Sequence, residues 1–117
     1  MDTVLAAAVR TPYRGRPGRS VLVVNDLGDL RGPAQGTVEL PIWLFWSSAD
    51  HTFDLSKPFM LRSMYETVLR EAARPEDLTT HLNGETLAAV WPELHLPKGV
   101  RLAWEERHPE LRDAAAA

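Results

Sequence analysis

Prolines divide the second half of this chain into short helical segments. They lie at the start or end of each helical pattern there, at Pro58, Pro75, Pro92, Pro97 and Pro109. Proline fits the first turn of a helix and breaks its interior, so this spacing predicts three to four short helices. Helices of this length are marginal in water on their own. They must therefore share one hydrophobic core.

Apolar side chains recur at helical spacing within these segments. The longest stripe follows Ser56, a residue type that caps helix N-termini, and consists of Leu61, Met64, Tyr65, Val68, Leu69 and Ala72. A second helix is predicted to start at Pro75, with two acids in its first turn. A third segment follows Asn83 and Gly84, and Pro97 opens a fourth.

Two segments of the first half have the composition of strands. Residues 20–24, SVLVV, form a β-branched run that suits a short strand. In residues 37–46, TVELPIWLFW, strand alternation places Val38, Leu40, Ile42, Leu44 and Trp46 on one face and Thr37, Glu39, Pro41, Trp43 and Phe45 on the other. Pro41 has no N–H for a sheet hydrogen bond, which predicts an edge strand or an extended segment.

The predicted fold class is α+β, with one or two short N-terminal strands or extended segments packed on a small bundle of three to four short helices. A length of 117 residues suits one domain. We expect a flexible basic arm over residues 1–20, a single globular domain over 21–111 and a frayed tail over 112–117.

Charge is unevenly distributed along the chain. Residues 1–20 carry four arginines against one aspartate, a net charge of +3, whereas the rest carries nine Lys and Arg against 15 acids, a net charge of −6. A flexible arm with Arg10, Arg14, Arg16 and Arg19 would bind nucleic-acid phosphates without sequence preference. A solvated tail is the alternative, since such arginine runs often serve only solubility.

The patterns of common catalytic and metal sites are missing from the sequence. It contains no cysteine, so the cytoplasm is the expected compartment. The polar stretch SSADHTFD holds Asp50, His51 and Asp54, but it lacks a second histidine for a metal ion and a nucleophile elbow around its serines. Turn and helix-cap roles explain these residues better. We expect no enzyme activity, no cofactor and no metal ion.

Two further classes of partner are disfavoured. The segment NGETLAAVWPEL could be taken for a recognition helix, but it has Glu85 and Glu93 and no Lys or Arg, so it would repel DNA. No stretch approaches the roughly 18 apolar residues of a membrane span. Nucleic acid is therefore expected only at the N-terminal arm, and a membrane is not expected as a partner.

The aromatic residues of the 37–46 segment suggest a binding face. Bulky aromatics more often build a core, but strand alternation sends Trp43 and Phe45 to the face opposite the core residues. Tryptophan is enriched where binding partners anchor, and an unpaired edge accepts a strand from another chain or a second copy. The predicted partner-binding residues are Trp43, Phe45 and Pro41.

Most of the chain also resembles a known group of proteins. The segments LRGPAQGTVELPIWLFWS, TFDLSKP, MYETVLREA and VWPELHLPKGVRLAWEERHPEL are similar to short uncharacterised actinobacterial proteins associated with nucleotidyltransferase-type toxins. The resemblance covers about residues 30–111 and brings no catalytic residue with it. It implies an antitoxin-like or accessory partner.

The leading hypothesis is therefore a non-enzymatic protein-interaction module, the antitoxin or accessory subunit of a toxin–antitoxin-type pair. It would bind a protein partner, or a second copy, through Trp43, Phe45 and the adjacent strand edge. The alternative is a DNA-associated transcriptional regulator that uses the basic N-terminal arm.

Overall fold

The computed structural model describes residues 8–16, 19–44 and 52–116. In these ranges the chain forms two antiparallel strand pairs and five α-helices, which confirms the α+β fold. The strands are β1 (Ala8–Arg16), β2 (Arg19–Val24), β3 (Thr37–Glu39) and β4 (Thr52–Asp54). The α-helices are α1 (Pro58–Glu71), α2 (Pro75–His81), α3 (Gly84–Val90), α4 (Lys98–Arg107) and α5 (Pro109–Ala116). Short 3-10 turns cover Leu27–Asp29 and Trp91–Glu93.

Proline marks the helix boundaries as the sequence predicted. Pro58 and Pro75 occupy the first turns of α1 and α2, and Pro97 directly precedes α4. One prediction at a helix end is wrong. Ser56 does not cap α1, since its N–H and hydroxyl both donate to the Asp54 carboxylate. Helix α5 continues to Ala116, and the buried side chain of Leu111, just before the segment predicted to fray, packs in the core.

Strands β1 and β2 form a hairpin where an unstructured arm was expected. The register pairs Ala8 with Val24 and Arg16 with Arg19. The four residues from Val21 to Val24 are all buried, so β2 is covered on both faces and its backbone groups require a partner strand. Strand β1 supplies that partner, and the prediction of a flexible arm over 1–20 is wrong for residues 8–16.

Helix α4 packs against this hairpin. A Cβ atom at Gly99 would overlap the carbonyl oxygen of Arg14, so the two backbones lie in direct contact. At the other end of α4, Nε2 of the buried His108 lies 2.7 Å from the carbonyl oxygen of Val24. A carbonyl only accepts, so Nε2 carries the proton. These contacts hold β1 and β2 at opposite ends of the helix.

The hydrophobic core lies between the helices and the inner faces of the strands. Its largest side chains are Trp91, Trp104 and Tyr65, none of which exposes any surface. The Trp91 and Trp104 ring centroids are 6.4 Å apart. This confirms that the helices share one core.

The connection between α2 and α3 is fixed by backbone hydrogen bonds from residues 30–32. The Arg31 N–H donates to Thr79 O at 3.1 Å, and the Gly32 N–H donates to Leu82 O at 2.7 Å. A Cβ atom at Gly32 would overlap the backbone of His81 and Leu82, so this close approach requires glycine. Helix α2 is thereby held in place, and its N-terminal end forms one side of the site described next.

Candidate functional site

A turn at residues 41–44 presents two large apolar side chains to solvent. Strand β3 ends at Glu39, and the Leu44 N–H then donates to Pro41 O at 2.9 Å. Leu40 and Leu44 are buried on either side of the turn, while Ile42 is 65% exposed and Trp43 is 56% exposed. Buried leucines thus anchor both ends of a turn whose two central residues are Ile42 and Trp43.

The turn corrects the expected alternation of the 37–46 segment. An extended strand would have placed Ile42 on the core face with Leu40 and Leu44. A turn reverses the chain direction, so alternation does not continue beyond Glu39 and Ile42 points outward together with Trp43. Central turn positions usually hold Gly, Pro, Asn, Asp or Ser, so isoleucine and tryptophan are not there to favour the turn itself.

The exposed Trp43 is held in one orientation by the start of α2. Its indole Nε1–H donates to Asp77 Oδ1 at 3.1 Å. The Arg74 guanidinium carbon lies 5.1 Å from the Trp43 ring centroid, within the range of a cation–π contact. Arg74 also forms an ion pair with Asp77 Oδ1 at 3.5 Å. Three residues from two parts of the chain thus form one unit, which we call the Trp43 triad.

Asp77 is the buried centre of the Trp43 triad. It is 2% exposed, and its second carboxylate oxygen accepts the backbone N–H groups of Ala73 and Arg74 at 3.0 and 3.1 Å. Burial acts to raise the pKa of Asp77, but the hydrogen bonds from Ala73, Trp43 and Arg74 and the charge of Arg74 together lower it below its ordinary value. The carboxylate is therefore ionised at neutral pH and caps the first turn of α2.

A second triad, again of a tryptophan, an arginine and a carboxylate, is built around a core tryptophan. The Trp91 Nε1–H donates to Glu105 Oε2 at 2.9 Å, and the Arg101 guanidinium carbon lies 5.0 Å from the Trp91 ring centroid. Arg101 pairs with Glu105 Oε2 at 3.5 Å. Here the tryptophan is fully buried. We call this set the Trp91 triad, and it shows how the chain fixes a tryptophan whose role is packing.

The other predicted partner-binding residues have different outcomes. Pro41 is half-buried, and its carbonyl closes the turn, so it shapes the site more than it exposes surface. Phe45 lies outside the described residues, as do Trp46, Asp50 and His51. Asp54 is described and serves as a turn residue, as expected for that stretch. Hydrogen bonds from the Ser56 hydroxyl and N–H hold the pKa of Asp54 below its ordinary value.

The arginines assigned to the N-terminal arm have separate environments. Arg10 donates to the carbonyl oxygens of Ser20 and Ala73, both at 3.0 Å, and so joins the hairpin to the end of α1. Arg14 is exposed and pairs with Ser20 in the register of the hairpin. The backbones of Arg16 and Arg19 are opposite each other at the end of the strand pair. The structure therefore gives Arg10 and Arg14 different environments.

Sequence analysis missed Arg74 and Asp77 as part of the site. The acids after Pro75 were interpreted as favourable charges in the first turn of a helix, which describes Asp77 correctly but incompletely. Its contact with Trp43 spans 34 positions in sequence. No local sequence pattern indicates a contact between residues so far apart in the chain, so only the folded structure could show it.

The described residues hold neither a metal-binding cluster nor a membrane-spanning helix. No group of three or more His, Asp or Glu side chains in residues 8–16, 19–44 and 52–116 is arranged to hold a metal ion. No helix within those ranges is long and apolar enough to cross a membrane.

Comparisons of the chain with models of protein families, with curated proteins and with solved structures find no match in any of the three. None of the three comparisons therefore bears on the function.

Proposed function

We propose that this chain is a non-enzymatic, cytoplasmic protein-binding module that anchors its partner on Ile42 and Trp43. The observation that carries the proposal is a tryptophan that is 56% exposed and yet fixed by a hydrogen bond and a cation–π contact. An exposed tryptophan that only filled space would not need these contacts.

The geometry of the Trp43 triad suits an anchor residue. Ordering a side chain at an interface costs about 0.5–1.5 kcal/mol, and a side chain that is already fixed avoids much of this loss. Tryptophan and arginine are the residues most often found at the energetic centre of protein interfaces. In the Trp43 triad both are at the surface, next to the exposed Ile42.

We infer the kind of partner from the sequence resemblance and from the net charge of the chain outside residues 1–20. The resemblance to proteins associated with nucleotidyltransferase-type toxins suggests an antitoxin or accessory subunit, whose partner is the product of an adjacent gene. Outside residues 1–20 the chain carries a net charge of −6, which suits a partner with a basic surface. The partner we propose is therefore a basic protein with an apolar pocket for Trp43.

Light scattering on the chain co-expressed with the product of each adjacent gene tests the proposal. We expect a stable hetero-complex that the double variant I42S/W43A abolishes. The matched control is Leu102→Ser, which changes another exposed apolar residue, on α4, and should leave the complex intact. Circular dichroism on each variant confirms that it is folded.

Three results would contradict the proposal. The first is a complex that a folded I42S/W43A variant forms with unchanged affinity. The second is equal loss of the complex in the Leu102→Ser control. The third is a wild-type chain that stays monomeric with every adjacent gene product.

A further inference from the structure

A pocket of about 270 Å³ lies between strand β1 and helix α4. Residues 9–12 of β1 form one wall, and Ala103, Glu106 and Arg107 of α4 form the other. The three α4 residues are spaced i, i+3 and i+4, so they share one face of the helix. We call this cavity the β1–α4 pocket. Its volume is just below the range of about 300–1,000 Å³ that is typical of pockets for drug-sized ligands, so a smaller molecule fits it.

The strand wall of the pocket is an irregular part of β1. After the pair of Arg10 with Leu22, the next pair joins Arg14 with Ser20. The chain advances four positions along β1 but only two along β2, so β1 contains two additional residues that leave the ladder. Pro12 lies in this stretch, has no N–H for a ladder bond and lines the pocket. Bulges of this kind often occur next to functional sites, because they redirect side chains.

Two exposed arginines line the pocket, and hydrogen bonds hold both of them. Arg10 donates to the carbonyl oxygens of Ser20 and Ala73, both at 3.0 Å. Arg107 Nη2 donates to Asn25 Oδ1 at 2.7 Å. A guanidinium has five N–H groups, so three of Arg10 and four of Arg107 have no acceptor among the residues that the structure describes. Both side chains are therefore fixed and retain donors for an anion.

The charges of the pocket favour a monoanion. Glu106 is the third charged residue of its described lining, and the Tyr13 hydroxyl donates to Glu106 Oε2 at 3.1 Å. Two arginines and one glutamate give a net charge of +1. A single carboxylate balances this charge, whereas a dianion leaves excess negative charge beside Glu106. Val9, Pro12 and Ala103 add apolar surface to the walls.

We propose that the β1–α4 pocket binds a small organic monocarboxylate, with the carboxylate between Arg10 and Arg107. The short apolar group of the ligand lies on the apolar part of the walls. Arginine and carboxylate form parallel, charge-assisted N–H···O bonds, which are stronger than bonds between neutral groups. Free metabolites and peptide C-termini both carry such a group, and the test distinguishes these two sources. The pocket shares no residue with the Trp43 triad, so the proposal does not rest on the proposed function.

A titration of the ¹⁵N-labelled full chain with isovalerate, followed by NMR in about 150 mM salt, locates the binding. The amide signals of residues 9–11, Ala103, Glu106 and Arg107 should shift and saturate. Arg107→Gln should weaken binding at least about tenfold, because it removes one of two charged donors. The control is Arg62→Gln on α1, which removes the same charge outside the pocket. It should leave affinity within about twofold of wild type, since distant exposed charges are screened at this salt concentration.

A second variant changes the affinity in the opposite direction. Glu106→Gln removes the carboxylate that repels the ligand and should strengthen binding at least about twofold. A gain in affinity cannot come from unfolding, and the NMR spectrum itself shows whether Arg107→Gln is folded. An unchanged or lower affinity in a folded Glu106→Gln variant would contradict the proposed position of the carboxylate.

Four further ligands identify the chemical class. Isovaleramide, a neutral molecule of the same shape, should not bind, and inorganic phosphate should bind more weakly than isovalerate. N-acetyl-Ala-Val carries a free C-terminal carboxylate, and its C-terminal amide is the matched control. Tighter binding of this peptide acid than of isovalerate assigns the pocket to peptide C-termini, and the reverse order assigns it to free metabolites.

The proposal is overturned if neither isovalerate nor the peptide acid shifts the pocket amides at up to about 50 mM, since affinity would then be below that of a weak specific site. It is also overturned if Arg107→Gln and Arg62→Gln lose affinity equally, because binding would then follow net charge alone. Binding of isovaleramide as tight as that of isovalerate would exclude a role for the carboxylate. Tighter binding of phosphate would exclude the monocarboxylate class.

Discussion

Two triads, each of a tryptophan, an arginine and a carboxylate, place their tryptophans in opposite environments in this protein. In each, a tryptophan N–H donates to a carboxylate, and an arginine lies over the ring and pairs with the same carboxylate. The distances agree closely: 3.1 and 2.9 Å for the N–H bonds, and 5.1 and 5.0 Å for the arginine–ring contacts, in the Trp43 and Trp91 triads respectively. Trp91 is fully buried, whereas Trp43 is 56% exposed.

The difference shows that fixing a tryptophan and burying it are separate properties. In the Trp91 triad the polar contacts satisfy an indole N–H that the core would otherwise leave unpaired. Water could satisfy the N–H of an exposed tryptophan, so the contacts of Trp43 serve its orientation instead. The proposed role of Trp43 as an anchor rests on this difference, and four predictions test it.

The largest expected effect is that of Trp91→Ala. Removing a fully buried tryptophan leaves a cavity and should lower the free energy of unfolding by about 3–5 kcal/mol. Urea denaturation followed by circular dichroism measures the loss. A loss below about 1 kcal/mol would show that Trp91 is not a packing residue, and the contrast between the two triads would then fail.

The next largest effect is expected from Asp77→Ala. Asp77 is 2% exposed and accepts two backbone N–H groups besides the Trp43 indole, so its removal takes the partner from two part-buried backbone donors at the start of α2. We expect a loss of about 2–3 kcal/mol in the free energy of unfolding. Asp113→Ala, at an exposed position on α5, is the control and should change stability by less than about 0.5 kcal/mol. Equal losses in the two variants would mean that Asp77 does not hold the triad together.

The stabilisation from Asp77 should depend on pH. The folded state lowers the pKa of this carboxyl below the ordinary 3.8. The stabilisation is therefore present above the unfolded-state pKa and is lost as pH falls through the folded-state value. In urea denaturation at several pH values, the stability gap between wild type and Asp77→Asn should stay constant from pH 7 down to the unfolded-state pKa and shrink as the pH falls further. A gap that stays constant below the unfolded-state pKa would contradict this assignment.

The smallest effect on stability is expected from Arg74→Gln. Arg74 is 59% exposed on its side chain, so the loss of its ring contact and ion pair should change the free energy of unfolding by less than about 1 kcal/mol. Arg101→Gln should have a larger effect, because Arg101 is 27% exposed and also donates to the carbonyl oxygen of Leu94. Thermal melting of both variants compares the two losses of stability. If Arg74→Gln lowered the melting temperature more than Arg101→Gln, the burial of the arginine would not explain the difference between the triads.

Local patterns in the sequence predicted the helices well. The apolar stripe from Leu61 to Ala72 and the prolines at positions 58, 75 and 97 place α1, α2 and α4, because helix formation depends on spacing and on residues within one turn. Turn chemistry around Asp54 was also predicted, since side-chain bonds to neighbouring residues are local. The sequence predicted that Trp43 would be exposed on the outer face of a strand. The structure shows Trp43 exposed because residues 41–44 form a turn.

Contacts between distant residues account for what the sequence could not show. Strand β1 contains glycine, proline and three arginines, a composition typical of an unfolded segment, and only the burial of β2 makes its pairing favourable. The direct approach of Gly99 to Arg14 and the bond from Trp43 to Asp77 likewise join positions that no pattern connects. Each depends on how the whole chain packs.

The most direct test of the central claim is to measure stability and partner binding together for Trp43→Ala. If Trp43 is a fixed anchor, the free energy of unfolding should fall by no more than about 2 kcal/mol, while the complex with the partner is lost. A loss of stability as large as that of Trp91→Ala, with partner binding unchanged in the folded fraction, would contradict the claim. Trp43 would then be a packing residue like Trp91.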